Sequence, residues 1–326
     1  MTHRLVISAV GALLLAFSLM YGPEKASAPF AQIPQDEPPV RVLFVGDLML
    51  DRNVARSAEE RGALSLFSSS TRALFADADV RVGNLEGTIT NNHSIARRDN
   101  SILRFTFDPT LSATVLTSLN FQALSLANNH ALDFADAGYM STRSALQGLG
   151  INPFGHPLNT GGMLSASVES QGHDLCFVGY HSLFSPDTAP VVDEIAALRP
   201  GCWRLVVFAH WGDEYQGHSN TQQQEAARAF VDAGADLVVG AHPHVVQEVE
   251  VYRGKAIFYS LGNYMFDQNF SWEVTHSLAV RADFYADRTH FTLMPLTIQD
   301  QYSAVATGTD KVKILEVAGV ADFTLP

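Results

Sequence analysis

Five short segments of this sequence place an Asp, Glu, Asn or His directly after an apolar run. Asp47 lies in Gly46-Asp47-Leu48-Met49-Leu50-Asp51-Arg52, and Glu86 in Asn84-Leu85-Glu86. Asn129 and His130 follow Asn128, with Asp133 close behind. His210 opens His210-Trp211-Gly212-Asp213-Glu214-Tyr215, and the last segment is Gly240-Ala241-His242-Pro243-His244. Mixed carboxylate, amide and imidazole donors suit borderline or hard divalent metals. Taken singly, each segment also has a bland reading. Asp47 fits a helix N-cap, Asn128-Asn129-His130 fits a cap for a helix starting near Ala135, and His210 fits a hydrogen-bonded structural histidine. The His242-Pro243-His244 pair is more specific, because H-x-H in extended geometry projects both rings to one face and proline stiffens the spacing. Unrelated caps and turns have no common reason to offer ligand types at every strand end. The joint pattern therefore predicts a divalent metal site.

The elements that must position these groups follow from periodicity. Apolar runs over 40–45, 80–82, 121–126, 175–180, 205–209, 236–239, 248–252 and 256–259 read as strands. Stretches 66–76, 109–119, 135–149 and 221–233 carry helical spacing. The alternation predicts an α/β layered fold, with ligand groups gathered at the carboxyl ends of strands. Residues 277–284 and 290–295 read as additional strands. The simplest partition is one domain over 40–315, with 316–326 as a C-terminal tail.

Composition bounds the partners. Lys plus Arg number 21 against 34 Asp plus Glu, a formal net charge of −13, so no nucleic-acid partner is expected. An anionic substrate stays open, since a bound metal reverses the local potential in a cleft. At the N-terminus Thr2, His3 and Arg4 precede an apolar run over 5–21, and Ala26-Ser27-Ala28 offers a small-x-small cleavage pattern. Residues 1–28 thus read as a cleaved signal peptide or a retained membrane anchor, and Pro-rich 29–39 as a linker. Export to the periplasm or the extracellular space is the expectation. The two cysteines, Cys176 and Cys202, are read either as one bridge or as two buried thiols.

The strings VLFVGDLMLDR, VGNLEGTIT, LANNHALDFADAGYMST, FAHWGDEY and GAHPHVVQEVEVYRGKAIFYSLGNYMFDQ, spread over residues 42–268, resemble the CapA-type poly-γ-glutamate capsule biosynthesis proteins, a branch of the calcineurin-like metallophosphoesterase superfamily. The resemblance implies a four-layer α/β/β/α sandwich. It matches Asp47, Glu86, Asn129, His210, His242 and His244 to metal ligands, while Met49 occupies the place of the histidine in the superfamily's D-x-H. One of two metal sites is therefore expected to be weaker, altered or absent.

On that match Asn129, His210 and His242 would hold one cation, with Glu86 shared, and Asp47, Glu86 and His244 a second. Mn, Zn and Fe all tolerate such a set. His130 would act as general acid, with Asp133 and Glu214 orienting ligand imidazoles. Arg52 would meet a substrate anion or pair with a nearby acid. The resemblance makes Asn263 a pocket residue, and Trp211 reads as cleft lining or core. The implied function is an exported metal-dependent hydrolase-like protein of cell-surface polymer production, acting on an anionic polymer or small anionic compound beside membrane-bound synthase subunits. An extracytoplasmic phosphoesterase and a non-catalytic anchored subunit of the synthesis or export complex are the alternatives.

Overall fold

The computed structural model describes residues 37–99 and 101–326. The expected leader or anchor over 1–28 and most of the expected linker lie outside them. Among the described residues no helix is long and apolar enough to cross a membrane.

In chain order the elements are β1 (Val40–Leu48), α1 (Arg52–Arg61), α2 (Ser69–Ala76), β2 (Val80–Leu85), β3 (Thr88–Ile89), β4 (Thr106–Phe107), α3 (Pro109–Ser118), β5 (Ala123–Ser125), α4 (Ala135–Gly148) and β6 (Asn152–Phe154). There follow β7 (Ser165–Ser170), β8 (His173–His181), α5 (Ala189–Leu198), β9 (Arg204–His210), α6 (Thr221–Ala233), β10 (Leu237–Ala241), β11 (Val249–Tyr252), β12 (Lys255–Phe258) and β13 (Asn263–Met265). The last are β14 (His276–Phe284), β15 (Thr289–Gln299), β16 (Tyr302–Val305), α7 (Gly308–Ala318) and β17 (Phe323–Leu325).

Two large sheets result. The first runs β16-β15-β14-β1-β2-β5-β6, with β13 beside β1 and β17 beside β15; the second runs β11-β12-β10-β9-β8-β7. Period-two alternation sends neighbouring side chains to opposite faces. Val42 and Phe44 of β1 meet Phe177, Val206, Phe208 and Val239 of the other sheet, forming a core between the sheets. Leu43 and Val45 point the other way, into a core with Val54, Phe75, Leu116 and Tyr139 of α1 to α4. On the far side Leu205, Val207 and Val238 pack on Val191 and Ile195 of α5 and Phe230 of α6. Layers of helix, sheet, sheet and helix are thus the expected sandwich.

Several boundaries differ from expectation. The 66–76 run is split into a 3-10 turn at Ala63–Leu66 and α2, and the short helices α1 and α5 are not among the expected elements. The expected end of the domain at 315 falls inside α7, and β17 pairs with β15, so residues 316–326 pack with the body.

The strands that matter are parallel within each sheet: β1, β2 and β5 in one, and β8, β9 and β10 in the other. Their carboxyl ends therefore converge. One close approach fixes the geometry at β1. A Cβ on Gly46 would lie 1.8 Å from the Gly262 carbonyl oxygen, so glycine alone lets the chain before β13 press against β1. Asp47 N donates to that same carbonyl, which brings Asn263 alongside Asp47.

Candidate metal centre

Five strand ends deliver their polar groups to one buried cluster. Asp47 ends β1, Glu86 follows β2, Asn129 and His130 follow β5, His210 ends β9, and His242 and His244 follow β10. Asp47, Glu86, His210, His242 and His244 are each at most 3 % exposed. Glu86 is the hub. Its Oε1 lies 3.9 Å from Nε2 of both His130 and His244 and 4.0 Å from Nε2 of His210. Asp47 Oδ2 lies 3.3 Å from His244 Nδ1, and Oδ1 lies 3.8 Å from His210 Nδ1. Donor atoms that share one ion at ~2 Å stand roughly 3–4 Å apart, so these separations suit a cation between them.

In two triads all three ligand atoms lie within 4.8 Å of one another: Glu86 with His242 and His244, and Asp47 with Glu86 and His210. This partition differs from the one the resemblance implied. His242 groups with His244, and His210 groups with Asp47, while Glu86 belongs to both. Asn129 joins through His210, its Oδ1 lying 2.9 Å from His210 Nε2. Two buried atoms of the cluster, Glu86 Oε2 and His242 Nδ1, have no hydrogen-bond partner among the described residues. Unpaired buried polar atoms cost ~1–3 kcal/mol each, and a divalent cation is the group whose chemistry would satisfy a carboxylate oxygen and an imidazole lone pair together. The residues fit the metal.

Electrostatics point the same way. Burial, followed by the carboxylates of Asp47 and Glu214, pushes the Glu86 carboxyl well above its usual range. Burial and then His242, His181 and His244 hold His210 well below the ordinary histidine value. His242 is pushed down to about 3 by burial and His244, against the pull of Asp47. In the protein alone these shifts work against the charged forms of Glu86, His210 and His242, and a bound cation would favour the ionised form of Glu86.

The loop after β10 corrects one expectation. His242 and His244 are not in extended geometry; their φ values are 96° and 60°. The rings come within 5.9 Å because the chain turns sharply. Left-handed backbone at a non-glycine residue costs on the order of 1–3 kcal/mol, and such strain concentrates at functional sites.

The surrounding residues take distinct roles. Asp133 Oδ2 lies 2.9 Å from His130 Nδ1 and accepts from Phe105 N at 2.6 Å, so it orients His130 and not a ligand imidazole. Asn263 Oδ1 lies 2.9 Å from His244 Nδ1, while its Nδ2 donates to Val274 O, which makes this buried residue a brace for His244 and not a substrate contact. Glu214 is exposed at the mouth next to Tyr215, and it braces no ligand imidazole among the described residues. Arg52 lines that mouth, paired with Asp267 and held between the rings of Phe105 and Phe266. Trp211 does not reach the cleft; its Nε1 donates to Tyr259 O inside the outer core. Met49 is fully buried in the helix-side core, and its sulfur accepts from Asp51 N, so it faces away from the centre. Asp51, not Asp47, caps α1.

Three residues escaped the sequence reading. Asn84 Nδ2 donates to Asp47 Oδ1 at 2.7 Å and lies 3.2 Å from His210 Nδ1. Asn128 Nδ2 donates to Asn84 Oδ1 and to Leu85 O, tying β5 to β2 where a helix cap had been an option. His181 ends β8 in register with His210. The available signal was positional: Asn84 sits two residues before Glu86, and His181 directly follows the apolar run 175–180.

A four-layer α/β sandwich with an Asp, Glu, Asn and His centre at its converging strand ends is metallophosphoesterase-like in architecture. Within that class the family can be stated. Residues 41–268 match the family model described as bacterial capsule synthesis protein PGA_cap, and the chain belongs to that family. It is 33% identical over 283 residues to the PGA biosynthesis protein CapA of Bacillus subtilis (strain 168), covering 82% of this chain and 73% of that protein. It is 28% identical over 280 residues to the capsule biosynthesis protein CapA of Bacillus anthracis, covering 79% of this chain and 67% of the relative. Among solved structures it is similar to a putative 5'-nucleotidase from Staphylococcus aureus, with a TM-score of 0.49 and 12% identity over 85% of this chain and 57% of that one.

Proposed function

We propose that this protein is an exported, metal-dependent hydrolase-like component of cell-surface polymer production, acting on an anionic polymer beside a membrane-bound synthase. The carrying observation is the set of three imidazole Nε2 atoms within 4.0 Å of one Glu86 oxygen. Asp47, Glu86, Asn129, His210, His242 and His244 would hold Mn, Zn or Fe, one ion or two. When bound, such an ion supplies Lewis acidity at the hydrolysed bond.

The chain's own residues supply the rest. His130, fixed by Asp133, presents Nε2 beside Glu86 and hands a proton to the leaving group. Phe105, Phe266 and Tyr215 line a mouth of about 280 Å³ and limit water around the reacting bond. Arg52 in that wall meets a substrate carboxylate. Export is supported by the Cys176–Cys202 disulfide, since such bonds persist in oxidising compartments, and by the apolar N-terminal run.

Metal analysis of the purified full chain tests the centre: at least one tightly held transition ion per chain is expected, with loss in His242→Ala. Incubation with γ-linked glutamate oligomers is expected to release shorter chains without phosphate release from generic phosphate esters. A metal-free wild-type chain, or phosphate-ester cleavage as the sole activity, overturns the reading.

A further inference from the structure

His181 ends β8 beside the last residue of β9, with His181 opposite His210 across the parallel pair. It is fully buried. Its backbone is clamped on both sides by one side chain: Asn159 Oδ1 accepts from His181 N at 2.9 Å, and Asn159 Nδ2 donates to His181 O at 2.7 Å. The ring is fixed as well. Nδ1 lies 2.8 Å from the Pro157 carbonyl oxygen, and Phe184 stands edge-on at 4.8 Å. A carbonyl only accepts, so Nδ1 carries the hydrogen and the neutral ring leaves a lone pair on Nε2. That Nε2 has no partner among the described residues.

Such a tautomer, with Nδ1–H tied to a backbone carbonyl and Nε2 bare, is the state in which metal-ligating histidines are commonly held. The placement suits it. The His181 ring lies 5.7 Å from that of His210, which in turn lies 4.7 Å from that of His242. With metal–nitrogen bonds of ~2 Å, ring centres of two imidazoles on one ion stand about 4.5–6 Å apart. Met49 meanwhile withdraws into the helix-side core and contributes nothing.

We infer that His181 supplies Nε2 as a further ligand to the ion beside Asp47, Glu86 and His210, making the centre richer in imidazole than the sequence match implies. This rests on the metal reading above and goes beyond it by adding a strand end, that of β8. The centre then draws on six strand ends, three in each sheet.

The test uses the full-length protein with Co²⁺ and Zn²⁺ as probes. His181→Asn keeps an amide donor near the Nδ1 position for the Pro157 carbonyl and removes Nε2. His181→Gln places an amide oxygen near Nε2. For His181→Asn we expect at least a tenfold weaker Zn²⁺ affinity by competition titration and a changed visible spectrum of the Co²⁺ form, with unfolding temperature of the metal-free protein near wild type. His181→Gln is expected to recover part of the affinity, and it is read alone if His181→Asn does not fold. A variant that binds both ions within twofold of wild type, with an unchanged Co²⁺ spectrum, overturns this inference and leaves the metal centre standing. A wild-type chain that binds neither ion overturns both.

Discussion

Glu86 is the residue on which the centre turns, because both triads use it and burial with the nearby carboxylates of Asp47 and Glu214 pushes its carboxyl well above its usual range. Glu86→Gln keeps the volume and removes the ionisable oxygen. Bound metal is expected to fall from stoichiometric to trace by elemental analysis, a loss of at least 100-fold in affinity, with little change in fold. Retention of a full complement of ion would sink the assignment. Met49 offers the opposite case. Because it packs in the helix-side core, Met49→His is expected to bury an imidazole without partners and lower stability by about 2 kcal/mol. The ion count should stay as in wild type; a gain of one ion per chain would show that the side chain can turn inward. The donor types were legible in the sequence because each followed an apolar run. Their grouping was not, because which histidine faces which carboxylate depends on pairing between strands far apart in the chain. His181 stayed hidden for a related reason: one histidine after a strand carries no motif, and only its register with His210 makes it informative.

At the scale of elements, strands written as continuous apolar runs could be placed from the sequence, and β1, β9 and β10 lie close to expectation. The loops after them could not. His242 and His244 take left-handed backbone that no periodicity encodes, and the H-x-H geometry was misread for that reason. The opposite end of the second sheet has its own fixed point, Asp236, at the entry to β10. Its Oδ2 accepts from Leu205 N at 2.9 Å and from Arg199, and its Oδ1 pairs with Lys255 Nζ at 3.0 Å. Burial raises the carboxyl, but the Leu205 amide and then Lys255 and Arg199 outweigh it, so the net direction is below the ordinary aspartate value. A depressed folded-state pKa contributes stability that is present above the unfolded value near 4 and is lost as pH falls through the folded value. Asp236→Asn is therefore expected to cost about 2 kcal/mol at pH 7 and progressively less below pH 4, measured by denaturant unfolding across pH. A pH-independent difference between the two proteins would refute the account.

The whole molecule is stapled at one place, and the two readings left open for its cysteines are resolved by it. Cys176 on β8 and Cys202 just before β9 are bonded, with Cα atoms 5.8 Å apart and 26 residues of sequence separation. The closed loop contains α5, which covers the outer face of the second sheet. In the chain-entropy account, closing a loop of that length stabilises the fold by ~3 kcal/mol. That is a large share of the ~5–15 kcal/mol typical of whole domains. Yet the bond lies toward the start of β8, while the metal centre gathers at the strands' other ends. Stability and metal binding should therefore separate. The double variant Cys176→Ala, Cys202→Ala is expected to melt on the order of 5–10 °C lower than wild type and to keep its Zn²⁺ affinity within about threefold. Reductant should lower the wild-type melting temperature toward that of the variant and leave the variant unmoved, because only the wild type has a bond to lose. A wild type indifferent to reductant under unfolding conditions would show that the staple contributes nothing. It would also remove the oxidising-compartment support for export, since a bond with no effect on folding gives no reason to fold where it can form.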